Sequence, residues 1–206
     1  MQGGAIGKGQ FVIPSGSPGR IRAALSRHNR NVDLTIVTFL AQHRVPALTA
    51  VARWAMDFGT NDAIQALTGF VGLAVVAAKR WWWQGMTIGA SVLLAQALAR
   101  ALKLLIARPR PPADLAVANV GAFSMPSTVA AMTAALAVAL YAVLPWPPGY
   151  RGWAVAALAA GLALIGVAMV YLGAHWPTDV LAGWPLGLVV GVAVVQVTRT
   201  IRRATH

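Results

Sequence analysis

Residues 152–172 read Gly-Trp-Ala-Val-Ala-Ala-Leu-Ala-Ala-Gly-Leu-Ala-Leu-Ile-Gly-Val-Ala-Met-Val-Tyr-Leu, a run without one charged side chain. Crossing a bilayer as a helix takes roughly 20 apolar residues, and this run supplies them. Working outward, four further apolar stretches have the same character, at about 63–78, 84–106, 127–144 and 179–198. The segments between them are punctuated as membrane boundaries. Lys79-Arg80-Trp81-Trp82-Trp83 is a basic and aromatic interface anchor, and Pro145-Trp146-Pro147-Pro148-Gly149-Tyr150-Arg151 is a tight aromatic turn. Gly85/Gly89 and Gly183/Gly187/Gly191 recur at a spacing of four, which lets neighbouring helices approach closely.

The composition of the 206-residue chain agrees. Hydrophobic residues make up 58%, charged residues 11%, and mean hydropathy is +0.65. A soluble globular enzyme, a disordered chain and a coiled coil are excluded by that balance. With no cysteine, disulfides, thiol catalysis and thiolate metal sites are excluded too. Seventeen Lys+Arg against five aspartates and no glutamate give a formal charge of +12. In so apolar a chain this reads as membrane-flanking charge facing anionic lipids, with no nucleic-acid partner.

The expected fold is an all-α, polytopic membrane helix bundle with five strong spanning helices. Residues 1–32 lack an apolar core long enough for a signal peptide and read as a basic, mobile N-terminal arm or a surface-lying helix. Residues 33–58 carry His43, Arg44, Pro46 and Arg53 at their centre, which suits an interfacial amphipathic helix better than a sixth span. The membrane domain is expected over 33–198, with a basic C-terminal tail at 199–206. Alternating crossings place the 79–83 turn, the 145–151 turn and Arg199, Arg202 and Arg203 on one face, and the 107–126 loop and 173–178 turn on the other. Basic residues favour a cytoplasmic position for the first face, but the basic arm falls on the opposite one if 33–58 does not span.

Polar residues retained beside spans are costly and therefore informative. Lys103, Arg108 and Arg110 cluster where a helix gives way to two prolines. Such cations anchor to headgroups and offset the macrodipole, or they form a phosphate receptor with the arginine fork. Pro126-Ser127-Thr128 opens the next helix, as an ordinary N-cap or as an anion site. His175 and Asp179, four apart, share a helical face. They are a satisfied structural pair, or an imidazole whose tautomer is fixed by a carboxylate so that its other nitrogen is free as base or nucleophile. All three clusters fall on one membrane face, and together they describe a phosphoryl-transfer site.

The order and placement of these clusters resemble the type 2 phosphatidic acid phosphatase superfamily, which includes membrane lipid phosphatases and vanadium haloperoxidases. Its first motif, Lys, six residues, Arg-Pro, is matched in full by Lys103 to Arg110-Pro111. Its second, Pro-Ser-Gly-His, is half matched by Pro126-Ser127-Thr128-Val129. Its third, Ser-Arg, five residues, His, three residues, Asp, keeps His175 and Asp179 but has Ala168 and Met169 in place of Ser-Arg. The resemblance implies that His175 is the nucleophile forming a phosphohistidine, oriented by Asp179. It implies phosphate binding by Lys103, Arg110 and the Ser127–Thr128 region, and Arg108 is a candidate replacement for the missing third-motif arginine. No metal and no cofactor are expected. The ligand would be an isoprenoid or glycerolipid phosphate or pyrophosphate in the cell membrane.

Val129 cannot protonate a leaving group and Met169 cannot bind an anion. Losing a positioned general acid costs about 3–5 kcal/mol of barrier, and a lost arginine–phosphate contact about 1.5–3 kcal/mol more. A pyrophosphate, whose leaving group is good, suffers less from the missing acid than an alkyl monoester does. The alternatives are therefore a phosphatase or pyrophosphatase, and an impaired relative that binds lipid phosphates or partners another membrane enzyme; a homo-oligomer or a membrane partner is expected as a possible assembly of either. A transport or scaffold role has less behind it, since no charge lies mid-helix in the stronger spans.

Overall fold

The computed structural model describes residues 18–118 and 121–205, and among these the chain is helical without strands. Seven α-helices follow one another: α1 (Pro18–Gln42), α2 (Pro46–Thr60), α3 (Asp62–Lys79), α4 (Trp82–Ile106), α5 (Thr128–Val143), α6 (Arg151–Tyr171) and α7 (Pro177–Ala204). Single 3₁₀ turns lie at Ala113–Leu115 and Pro148–Tyr150. Helices α3, α4 and α7, and α6 extended by its preceding turn, are long and apolar enough to cross a membrane. The all-helical membrane bundle expected from the sequence is what the chain forms.

Helix α5 corresponds to the fifth expected span but has only 16 residues, about 24 Å at 1.5 Å per residue. It can be short because it is the central helix, packed by α4, α6 and α7. Ala130, Ala131, Ala134, Ala135 and Ala139 are fully buried along it, so its alanine richness reflects close neighbours on several sides. Helix α7 approaches most tightly. A Cβ on Gly187 would stand 2.0 Å from the Ala131 carbonyl oxygen, and one on Gly183 2.7 Å from that of Ser127. The glycines at the start of α4 differ: Gly85 presses on Val76 of α3, whereas Gly89 faces open space.

Helix α1 runs unbroken across the boundary expected at residue 32, and residues 1–17 of the expected arm lie outside the described ones. The helix ends at a break, residues 43–45, where α2 begins with Pro46 at its first position. Arg44 fixes the break: Nε donates to the Tyr171 carbonyl at 2.9 Å and Nη2 to that of Leu115 at 2.6 Å. The other end of α2 touches the start of α5, where a Cβ on Gly59 would lie 2.4 Å from Val129 Cγ1. Both ends of α2 thus meet the same face of the bundle, and the single helix expected over 33–58 is divided between α1 and α2. From there α3 to α7 alternate between faces. The opposite face gathers Trp83, Gln84, Val143, Thr198, Arg199 and Arg202 around one small recess.

Candidate active site

The loop after α4 is shaped by its own backbone. Ala107 takes a left-handed conformation (φ 48°) and its N–H closes on the Lys103 carbonyl at 3.0 Å. Two prolines then force an extended path. Ser124 pins the returning strand of the loop to the outgoing one: its N–H and Oγ both donate to the Arg108 carbonyl, at 2.9 and 3.2 Å, and Oγ also reaches that of Pro109 at 3.1 Å. Arg108 and Arg110 are therefore carried back over the ends of α6 and α7.

The turn between α6 and α7 places the imidazole. Gly173 has φ +70°, and a Cβ there would meet the Leu115 carbonyl oxygen at 2.4 Å, so only glycine fits without strain. The N–H groups of Ala174 and His175 donate to the Met169 carbonyl at 3.0 and 3.3 Å. His175 is buried, with Nδ1 3.4 Å from Asp179 Oδ2. The same Oδ2 accepts from the Trp176 N–H at 2.9 Å, which holds the carboxylate at the start of α7. Burial above all lowers the His175 pKa below the usual histidine value; its hydrogen bond to Asp179 opposes this, while Arg110 and Lys103 add to it.

Arg110 lies against the other ring nitrogen. Its Nη1 is 3.3 Å from His175 Nε2 and also donates to the Ala174 carbonyl, and its Nε donates to the Gly121 carbonyl. An arginine N–H directed at Nε2 requires a lone pair there, which assigns the remaining proton to Nδ1, facing Asp179. None of the described residues bonds Arg110 Nη2, so two N–H donors remain for an anion. Lys103, half-buried in the last turn of α4, lies within electrostatic reach of Arg110, Asp179 and His175. The structure thus brings His175, Asp179, Arg110 and Lys103 together.

The remaining sequence candidates are placed differently. Arg108 is turned away from the Nε2 side: Nη1 donates to Asp179 Oδ1 at 2.7 Å and to Thr178 Oγ1 at 2.6 Å, and Nη2 to Asp33 Oδ2 at 2.6 Å. Ser127 caps α5, its Oγ accepting from the Ala130 N–H at 3.3 Å and lying 3.4 Å from Met169 Sδ. Thr128, half-buried, opens that helix, where the first backbone N–H groups are orphaned as at any helix start. Val129 and Met169 are buried in one apolar cluster with Ala55 and Met56 of α2. The position where the second motif has histidine is therefore packed under α2.

Sequence reasoning missed Asp33 and the bracing role of Arg44. Asp33 is 1% exposed and stands beside Arg108 and Thr178. Its signal was scarcity: it is one of only five acidic residues in the chain.

Comparison with known proteins agrees with this architecture. Residues 84–203 match the PAP2 superfamily, and the chain belongs to that family of membrane lipid phosphatases. It is 30% identical over 164 residues to the decaprenylphosphoryl-5-phosphoribose phosphatase of Mycobacterium tuberculosis, covering 77% of this chain and 85% of the relative. The protein of the same name from Mycolicibacterium smegmatis is 35% identical over 142 residues, 67% of this chain and 72% of the relative. The fold is similar to the crystal structure of a transmembrane PAP2 type phosphatidylglycerolphosphate phosphatase from Bacillus subtilis, with TM-score 0.73 and 25% identity, covering 84% of this chain and 87% of that one.

Proposed function

We propose that the protein is a lipid phosphatase of the cell membrane that hydrolyses a lipid-linked phosphate or pyrophosphate through His175. The observation that carries this reading is the pairing of a buried imidazole with Asp179 on one nitrogen and Arg110 on the other. The Nε2 lone pair attacks phosphorus while the bond from phosphorus to the leaving oxygen breaks, and water then hydrolyses the phosphohistidine. Asp179 accepts the hydrogen bond from Nδ1–H, which keeps its proton, and so stabilises the positively charged ring that forms. Lys103 and Arg110 hold the phosphoryl oxygens, the arginine through its remaining donors. The relatives named as decaprenylphosphoryl-5-phosphoribose phosphatases support an isoprenoid-linked substrate.

Nothing at position 129 protonates the leaving oxygen, so turnover of a pyrophosphate should exceed that of an alkyl monoester. The burial of Val129 and Met169 in one apolar cluster favours a second reading, a protein that binds lipid phosphate without turning it over. Phosphate release from a panel of lipid monophosphates and pyrophosphates, measured beside His175→Ala, separates the two. Release that falls about 10³-fold or more in the variant supports catalysis. Release no greater than the variant's, with lipid-phosphate binding retained, supports the second reading.

A further inference from the structure

Asp33 lies on α1, outside the 84–203 stretch that carries the family match, yet its carboxylate reaches the core of the site. The Arg108 fork is divided between two carboxylates, Asp33 at 2.6 Å and Asp179 at 2.7 Å. Thr178 locks the arrangement. Its N–H donates to Asp33 Oδ1 at 3.2 Å, and its hydroxyl donates to Asp33 Oδ2 at 2.5 Å. The Trp176 ring covers the guanidinium at 5.5 Å. Burying a carboxylate is costly unless it is paired and hydrogen-bonded, so this is a constructed arrangement rather than incidental packing.

Its charge balance bears on the histidine. Were Arg108 to face Asp179 alone, one cation would cancel the one anion that orients His175. With Asp33 taking half of the fork, the Asp33–Arg108–Asp179 group keeps a net negative charge, and Asp179 Oδ2 faces the ring. We propose that Asp33 is a positioning residue of the site, acting through Arg108 to keep Asp179 effective toward His175, so that α1 belongs to the site. This rests on the reading of His175 as the nucleophile. The charged groups acting on the ring are Asp179 on α7, Lys103 on α4 and Arg110 on the loop; Arg108 reaches it only through Asp179, with Asp33 of α1 on the far side of Arg108. Helices α5 and α6 present Ser127, Thr128 and Met169, which do not titrate, and Arg44 before α2 is bound to backbone carbonyls.

The test follows the titration of the His175 ring by NMR in the full-length protein in detergent. Only four histidines are present, and the His175 signal is identified by its loss in His175→Asn. Asp33→Asn keeps the shape and removes a negative charge, so the midpoint should fall by about half a pH unit or more. Arg108→Gln removes the cation, and the midpoint should rise. The double variant should return close to wild type. If Arg108→Gln does not fold, Asp33→Asn and the double variant still decide. A midpoint unmoved by Asp33→Asn, or moved in the same direction by both changes, overturns the proposal. If the protein hydrolyses lipid phosphates, the acid limb of kcat should shift with the midpoints. Opposed shifts without hydrolysis would sink the phosphatase reading and keep Asp33 in its role. Hydrolysis with unmoved midpoints would do the reverse.

Discussion

At the scale of the residue, the chemistry depends on how few polar groups the site contains and how fully each is held. His175 must be neutral to attack, and burial holds its pKa below the ordinary value of about 6.5. The rate should therefore be flat through neutral pH and fall only as pH drops through that lowered value. Stability has the same sign: the unfolded chain binds the proton more readily, so the contribution is complete above about pH 6.5 and is lost as pH falls. A pH–kcat profile, with thermal melts across the same range, checks both. Val129 presents the opposite case. It sits against Gly59 with no slack, so Val129→His, which would restore the family's acid in name, should overpack the α2–α5 contact. A destabilisation of about 1–3 kcal/mol is expected, read as a lower melting temperature.

At the scale of the element, small residues decide which helices touch. Gly187→Ala places a methyl group against the Ala131 backbone, and a backbone atom cannot rotate away, so α5 and α7 must separate. A loss of about 3 kcal/mol is expected, together with disturbed activity, because Ser127 and Asp179 ride at the starts of those two helices and are joined by a 3.0 Å backbone hydrogen bond. Gly89→Ala is the contrast. It faces open space, and alanine's helix propensity should leave stability unchanged or raise it by up to about 1 kcal/mol. Melting temperatures of the two variants in one detergent distinguish them. The sequence offers the same spacing of four at both places and does not say which stripe has a partner.

At the scale of the whole molecule, α1, α2, the loop after α4 and the α6–α7 turn meet on one face, and the C-terminus of α7 lies on the other. The absence of cysteine makes this directly measurable. Single cysteines at Ala122 and Thr205, both exposed, should react with an impermeant thiol reagent from opposite sides of sealed vesicles. Labelling of both from one side would contradict the alternation of α3 to α7. The charge at the centre of 33–58 marked a discontinuity in the apolar pattern, and the structure divides that segment between α1 and α2, with Arg44 at the break. The continuity of α1 across residue 32 was not legible, because polarity alone does not distinguish a surface helix from an arm.

The sequence alone determined the class of fold. Long charge-free runs leave no structure but spanning helices that satisfy their own backbone hydrogen bonds in lipid, and Lys103, Arg110, His175 and Asp179 were visible because polar residues beside such runs are rare. Only the tertiary structure decided what each of them touches. Arg108 and Arg110 are two residues apart in one loop, yet one is divided between two buried carboxylates and the other stands against the histidine ring. Asp33 lies 75 residues before Arg108 and entered the site unannounced. Hydrophobicity is additive along the chain and can be read in order. Charge pairing depends on distances that exist only once distant helix ends have been brought together.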